Sequence, residues 1–278
     1  MDNLMLKRIL RNKSAVIGGI LILIVIICAL FSKQLSPYDP YTMDMPNNNQ
    51  PPSAEHILGT DNYGRDLLTR IIYGAQVSLK VGIVAVGIAM VIGVTLGLIS
   101  GYYGGAIDRL IMGVVNIFLS FPVILLAIAF VAALGASQMN VMLAIGLVDW
   151  TRYARTVRAS VLSIKEEEYI LAAITTGASN LRIIFFHILP NTLAPIIVMA
   201  TLGLGTAIIS ESTLSYLGLG IKPPTASWGN TLSFGLRLLR DAPHISLFPG
   251  LAIMVTVLGF NLLGNGLRDV LDPKLSRN

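Results

Sequence analysis

The chain has 278 residues, 54% of them apolar and only 13% charged, with a mean hydropathy of +0.72, against roughly 25% charge in soluble domains. This composition implies an all-α, multi-pass helical membrane protein with room for about six spans of about 20 residues, and the two-residue alternation of an outer-membrane barrel does not dominate. The net charge of +5 does not signal nucleic-acid binding, because no basic block is interleaved with aromatics, and Cys28, the sole cysteine, excludes both an internal disulfide and a thiolate metal cluster.

The first apolar run covers residues 15–32, behind Lys7, Arg8, Arg11 and Lys13. It is longer than the hydrophobic region of a signal peptide, and no small-residue cleavage site follows it cleanly. It is expected to be an uncleaved span that starts in the cytoplasm, heading an N-terminal unit of residues 1–76. The rest of that unit is polar and proline-rich and is expected outside. Within His56–Gln76, Leu67, Leu68, Ile71 and Ile72 repeat at helical spacing, which suggests a helix in the outer interface.

A core of five further spans is expected over residues 77–273. The spans fall at about 78–100, 107–134 (with Pro122 inside it), 139–162, 185–209 and 245–263. GYYGG at 101–105 is read as a tight inside turn. Pro122, Pro190 and Pro195 lie within or beside spans, where such breaks are tolerated and can act as hinges. With both termini in the cytoplasm, 13 of the 20 Lys and Arg residues fall inside, as the positive-inside rule requires.

Several chemistries are missing from the sequence. No G-x-x-x-x-G-K-[ST] phosphate loop and no H-E-x-x-H helix occurs. No G-x-S-x-G elbow occurs. His56, His187 and His244 are far apart, so no metal site and no catalytic residue is expected.

The inside segment 163–190 holds the most specific signal. Ser163 and Glu166 have the spacing of a capping box, and Glu166, Glu167 and Glu168 would sit at the positive end of a helix dipole. The helix should run to about Thr176 and stop at Gly177 in a left-handed turn. Ile170, Ala173, Ile174 and Gly177 share one face by helical spacing, where small side chains would let a partner come close. The plainer alternative is an inter-span loop packed on its own bundle.

Ala172-Ala173, three residues, Gly177, nine residues, then x-Leu189-Pro190 resembles the cytoplasmic loop of binding-protein-dependent ABC importer permeases. That family's pattern is Glu-Ala-Ala, three residues, Gly, nine residues, Ile-x-Leu-Pro. Here Leu171 replaces the glutamate and His187 the isoleucine. The first departure puts the acid's role in doubt, with Glu168 as one substitute. The second, in HILPN (187–191), is similar to the peptide and nickel branch. His56-Ile-Leu-Gly-Thr-Asp61 with Arg65-Asp66 resembles the external signature of C-type dipeptide/oligopeptide permeases. Ala154-Arg155 with Val157-Arg158, and Glu211 through Gly220 continuing to Trp228-Gly229, are similar to the same branch. The resemblance spans residues 1–273.

The resemblance implies a permease subunit of a peptide importer in a prokaryotic cytoplasmic membrane, beside a sister permease and surrounded by lipid. Two ATPase subunits would dock beneath and hold the ATP and magnesium, so this chain would bind no cofactor. An external binding protein would deliver the cargo. The coupling residues carried over are Glu168, Tyr169, Ala172, Ala173, Gly177, Ala178, Ser179, His187, Leu189 and Pro190.

Asp149 and Glu211 are ionisable groups in or at the ends of spans, hence path or gate candidates. Asp149 could instead pair with Arg152 or Arg155, and Glu211 could lie just outside in water. Arg152, Arg155 and Arg158 share a helix face and would meet either lipid headgroups or the coupling region. Asp61, Arg65 and Asp66 would either meet the external protein or cap local turns. Rival readings are a nickel-chelate importer of the same branch and an ion-gradient-driven secondary transporter, which usually shows internal repeats.

Overall fold

In the computed structural model, residues 3–271 are described. After α1 (Asn3–Arg11), helix α2 (Lys13–Leu30) starts where the Asn12 side chain accepts from the Ala15 backbone N–H at 3.0 Å, one of the donors a helix start leaves free. α2 lies against the last helix, α12 (His244–Leu271), through small residues: a Cβ on Gly18 or Gly266 would strike the facing backbone. Without a hydrophobic drive between helices in lipid, this closeness lets dispersion and weak polar contacts hold the pair.

Beyond α2 the chain forms a short helix α3 (Ser32–Leu35) and an irregular segment up to Asp66. Asp66 accepts from the Thr69 N–H at 2.8 Å and starts α4 (Leu67–Tyr103). The residues expected to form a separate interface helix are instead the first turns of this long helix. Nothing between Leu67 and residue 78 breaks the backbone pattern, and Gly74 leaves room for the Trp228 ring, whose indole N–H donates to the Ile71 carbonyl at 2.8 Å.

The centre of the bundle is the pair α4 and α7 (Gln138–Lys165). Gly93, Gly97 and Gly101 recur every fourth residue along one face of α4, and Cβ atoms there would meet Trp150, Tyr153, Ala154, Val157, Arg158 and Val161 of α7. Gly146 reciprocates against Ala85 and Ile88. This is the small-residue spacing that brings membrane helices into backbone contact.

The stretch expected as one span at 107–134 is broken. α5 (Gly105–Ser120) and α6 (Val123–Leu134) meet at 94° around Phe121–Pro122. Pro122 has no N–H to give, and it drives Phe121 to an extended conformation (φ −94°, ψ 143°) that a helix cannot use.

After α7 come α8 (Glu168–Thr175), α9 (Asn180–Ile183), a π-helical turn at Ile184–Ile188, and α10 (Leu189–Tyr216). α11 (Trp228–Arg237) is capped by Ser227 and packs on α10 and α12. The fold is all-α. Four helical stretches among the described residues are long and apolar enough to cross a membrane: 13–30, 67–103, 180–216 and 244–271. The bent α5–α6 pair makes up to five. α7 is not among them, because Asp149, Arg152, Arg155 and Arg158 interrupt its apolar character.

Candidate functional site: the segment between α7 and α10

The expected capping box does not form. Ser163 lies inside α7, which runs on to Lys165. The Lys165 ammonium donates to the Tyr102 carbonyl at 2.7 Å and ties the end of α7 to the end of α4. That tertiary contact extends α7 through a site where the local signal predicts a start. α8 begins instead at Glu168, with extended Glu167 before it and no side-chain cap.

The stop follows the sequence. Gly177 has φ +80°, its N–H donates to the Ile174 carbonyl at 3.0 Å, and the Ala178 N–H reaches the Ala173 carbonyl at 3.1 Å. These two bonds make a Schellman turn. Ser179 then precedes α9 without a side-chain cap.

The two faces of α8 differ from the expected division. Ile170 is fully buried in a cluster with Leu98, Val157, Val161, Ile183, Ile184 and Ile188, and Ala173 and Ala178 pack partly against it. These residues therefore hold α8 to its own bundle. The outward face carries Glu168, Tyr169, Leu171, Ala172 and Ile174, with Tyr169 45%, Leu171 54% and Ile174 45% exposed. Of the residues expected on a docking face, Ile170 and Ala173 turn toward the bundle, and the exposed side includes Leu171. Partial burial, together with the Glu167 carboxylate, pushes the Tyr169 phenol above its ordinary value.

Downstream, His187 and Leu189 are half-buried and Pro190 is exposed. Pro190 cannot donate within the helix. The Asn191 side-chain amide donates to the His187 carbonyl at 2.6 Å in its first turn. Leu181, Phe185 and Phe186 are all more than half exposed beside Arg182 and His187, around an open hollow of about 700 Å³.

The external signature residues form a closed clasp. Asp61 accepts from the Arg65 Nε at 2.7 Å and from the backbone N–H of Tyr63 and Arg65, and Arg70 Nε lies 3.3 Å from the same carboxylate. Asp66 caps α4 and meets His56 Nδ1 at 2.9 Å. Asp61, Arg65 and Asp66 are each at most 4% exposed. Their burial and local hydrogen bonds fit the turn-capping alternative and leave these side chains almost no exposed surface.

The three arginines of α7 separate. Arg158 forms a two-bonded pair with Asp108 of α5 at 2.5 and 2.6 Å, and Ser100 donates to that same carboxylate. Arg155 donates to Asn116 at 2.9 Å, and Arg152 stands 3.9 Å from Asp149. Arg155 and Arg158 thus join α7 to α5. Glu211 is completely buried and accepts from Ser215 at 2.8 Å, against α11 at Gly229. It does not lie in water, and Asp149 borders two hollows.

The model of the binding-protein-dependent transport system inner membrane component matches residues 93–277, which include this whole segment. The chain belongs to that family. Residues 3–52 also match the N-terminal membrane domain of oligopeptide transport permease C. A dipeptide transport system permease protein, DppC, of Alkalihalophilus pseudofirmus is 51% identical over 97% of this chain and 88% of its own. A glutathione transport system permease protein, GsiD, of Pectobacterium atrosepticum is 44% identical over 97% and 90%. A putative peptide transport system permease protein of Brucella abortus is 45% identical over the same shares. Among solved structures, the inward-facing MetNI methionine ABC transporter has a chain with a TM-score of 0.60 and 20% identity, covering 74% of this chain and 98% of that one. This likeness shows the fold.

The permease is thus a multi-pass component of the prokaryotic inner membrane, and its family comprises transport subunits rather than enzymes. Sequence reasoning missed the polar contacts of Tyr102, Asp108, Asn116, Lys165 and Asn180 near the ends of α4 and α7 and along α5. Each is an ordinary polar residue with a partner remote in the chain, so no spacing could single it out. Among the described residues no group of three or more His, Cys, Asp or Glu could hold a metal.

Proposed function

We propose that this permease subunit carries di- or oligopeptides through an ATP-driven importer, forming the path with a sister permease. The chain would cross the membrane six times, with α7 as a span sheltered by α4 and α5 and both termini in the cytoplasm. The outward face of α8 would seat one of two ATPase subunits, which hold the ATP and magnesium, and an external binding protein would supply the cargo. The observation that carries the cargo class is the 51% identity to a dipeptide permease along 97% of the chain. The coupling role is supported by a short, well-stopped helix whose buried side is anchored and whose exposed side is apolar. Such a helix has a face to offer and a rigid connection behind it.

The test is uptake of a labelled dipeptide into proteoliposomes holding both permeases and both ATPases, with the binding protein outside. Uptake that needs ATP and all subunits is expected. Uptake by this chain alone under an ion gradient would overturn the reading, and selective uptake of a nickel chelate would overturn the cargo.

A further inference from the structure

Two hollows meet at Asp149. The larger, about 430 Å³, is bordered by Val123 and Ile124 of α6, Ile145 of α7, and Ser210 and Thr213 of α10. The smaller, about 150 Å³, lies between α4, α7 and α10 and has Arg152 on its wall. Asp149 is common to the two linings and is the one acid in either, and Arg152, on the smaller, is the one base. The remaining walls are mainly apolar.

Asp149 is poorly paired. Its Oδ1 lies 3.9 Å from Arg152 Nε, beyond hydrogen-bond reach, and no hydrogen bond reaches its carboxylate among the described residues. The Arg152 side chain is 51% exposed, the Asp149 side chain 16%. Asp108 and Asp61, by contrast, are each held by close arginine contacts. A carboxylate at membrane depth without a close partner is costly and marks a functional position. A long arginine side chain half in the open can swing aside and leave the carboxylate to another cation.

The geometry points to Asp149 as the recognition site for the terminal ammonium of a peptide in transit, with Arg152 as the counter-ion that this ammonium displaces. This inference rests on the proposed peptide cargo. A divalent metal is disfavoured by the donor set, since such an ion takes six or more oxygen ligands or keeps several waters, and only one carboxylate is present. An ammonium needs one carboxylate and a few neutral acceptors, and Ser210 and Thr213 border the same hollow. Its apolar walls can receive a peptide side chain without selecting a particular one.

The experiment uses the assembled transporter in nanodiscs, with Ile124→Cys, on the α6 wall of the larger hollow, in a Cys28→Ser background. Labelling of that cysteine by a cationic methanethiosulfonate is followed by mass spectrometry on this subunit. Alanylalanine is expected to slow labelling several-fold, and N-acetyl-alanylalanine, which lacks the ammonium, is not. Asp149→Asn should raise the alanylalanine concentration needed for half-protection by about tenfold or more, as expected for losing one charge-assisted hydrogen bond. Arg152→Gln should leave that concentration unchanged or lower it. Equal protection by the two peptides, or no protection by either, would overturn the inference. So would an Arg152→Gln loss as large as that of Asp149→Asn, the mark of a merely structural pair. If Asp149→Asn does not assemble, the comparison of the two peptides on the Asp149 protein decides. ATP-driven dipeptide uptake by the unsubstituted transporter is measured in parallel. Its absence overturns the cargo reading, whereas uptake without ammonium selectivity overturns only the assignment of Asp149.

Discussion

Tyr102 and Asn180 stand 78 positions apart and are joined by a hydrogen bond of 2.8 Å, the phenol donating to the side-chain amide oxygen. The same turn of α4 receives the Lys165 ammonium on its Tyr102 carbonyl. The ends of α4 and α7 and the chain just after α8 therefore form one polar knot. Below it lies the buried cluster centred on Ile170. A displacement of α8 that carries Asn180 with it would also pull on Tyr102.

The first prediction tests that link. Tyr102→Phe keeps the ring in its apolar cluster and removes only the bond, costing about 0.5–1.5 kcal/mol. Assembly and ATP hydrolysis are expected to persist, while peptide moved per ATP hydrolysed falls. Asn180→Ala should give the same fall. Both quantities are read on proteoliposomes. An unchanged transport-to-hydrolysis ratio in both variants would show that the bond transmits nothing.

The second prediction separates the two faces of α8. Leu171→Arg places a charge on the exposed face and should abolish co-purification of the ATPase subunits while leaving the subunit's melting temperature nearly unchanged. Ile170→Ala empties a fully buried site and should destabilise the fold by about 2–5 kcal/mol. Gly177→Arg should do both in part, since a side chain at φ +80° costs about 1–2 kcal/mol beside the docking face. Equal loss of ATPase binding from Leu171→Arg and Ile170→Ala, at equal stability, would erase the distinction.

Residues 163–190 show how far local chemistry reaches. Gly177 was legible because a helix stop depends on the few residues around it. Ser163 and Glu166 were misleading for the same reason, since their capping geometry competes with continued helix and the Lys165–Tyr102 contact decides for the helix. Helical spacing grouped Ile170 with Ala173 correctly, yet spacing alone does not say which side the bundle occupies. Pro122 announced a break in the chain, but a 94° turn is set by what α5 and α6 pack against. The helix count also turns on context: α7 is too charged to pass as a span alone, and Arg155 and Arg158 have their partners on α5.

The third prediction concerns the external clasp. Asp61 holds two buried guanidinium groups, so Asp61→Asn leaves a buried positive charge underpaired. A loss of about 3–5 kcal/mol is expected. Asp66→Ala removes a helix cap and should cost about 0.5–2 kcal/mol. Differential scanning of the purified complex, with limited proteolysis of residues 36–66, gives the ranking. If Asp61→Asn lost binding-protein contact but no stability, the clasp would be a docking surface after all.

The fourth prediction addresses the glycine stripe that joins α4 to α7. A Cβ on Gly97 would lie 2.7 Å from the Ala154 carbonyl oxygen and 2.8 Å from Val157 Cβ. Neither atom is at the end of a flexible side chain, so the helices must part for a substituent to fit. Gly97→Leu is expected to abolish accumulation of the subunit in the membrane, and Gly97→Ala to lower it several-fold. Gly87, whose Cβ would meet nothing within 4 Å, supplies the control on the same helix. Gly87→Ala should accumulate normally, or better, since alanine favours helix over glycine by about 1 kcal/mol. Similar losses at both positions would point to a general intolerance of α4 rather than to its contact with α7. Loss at Gly97 alone would place the constraint at the backbone-to-backbone approach that sets where Asp149, Arg155 and Arg158 project from α7.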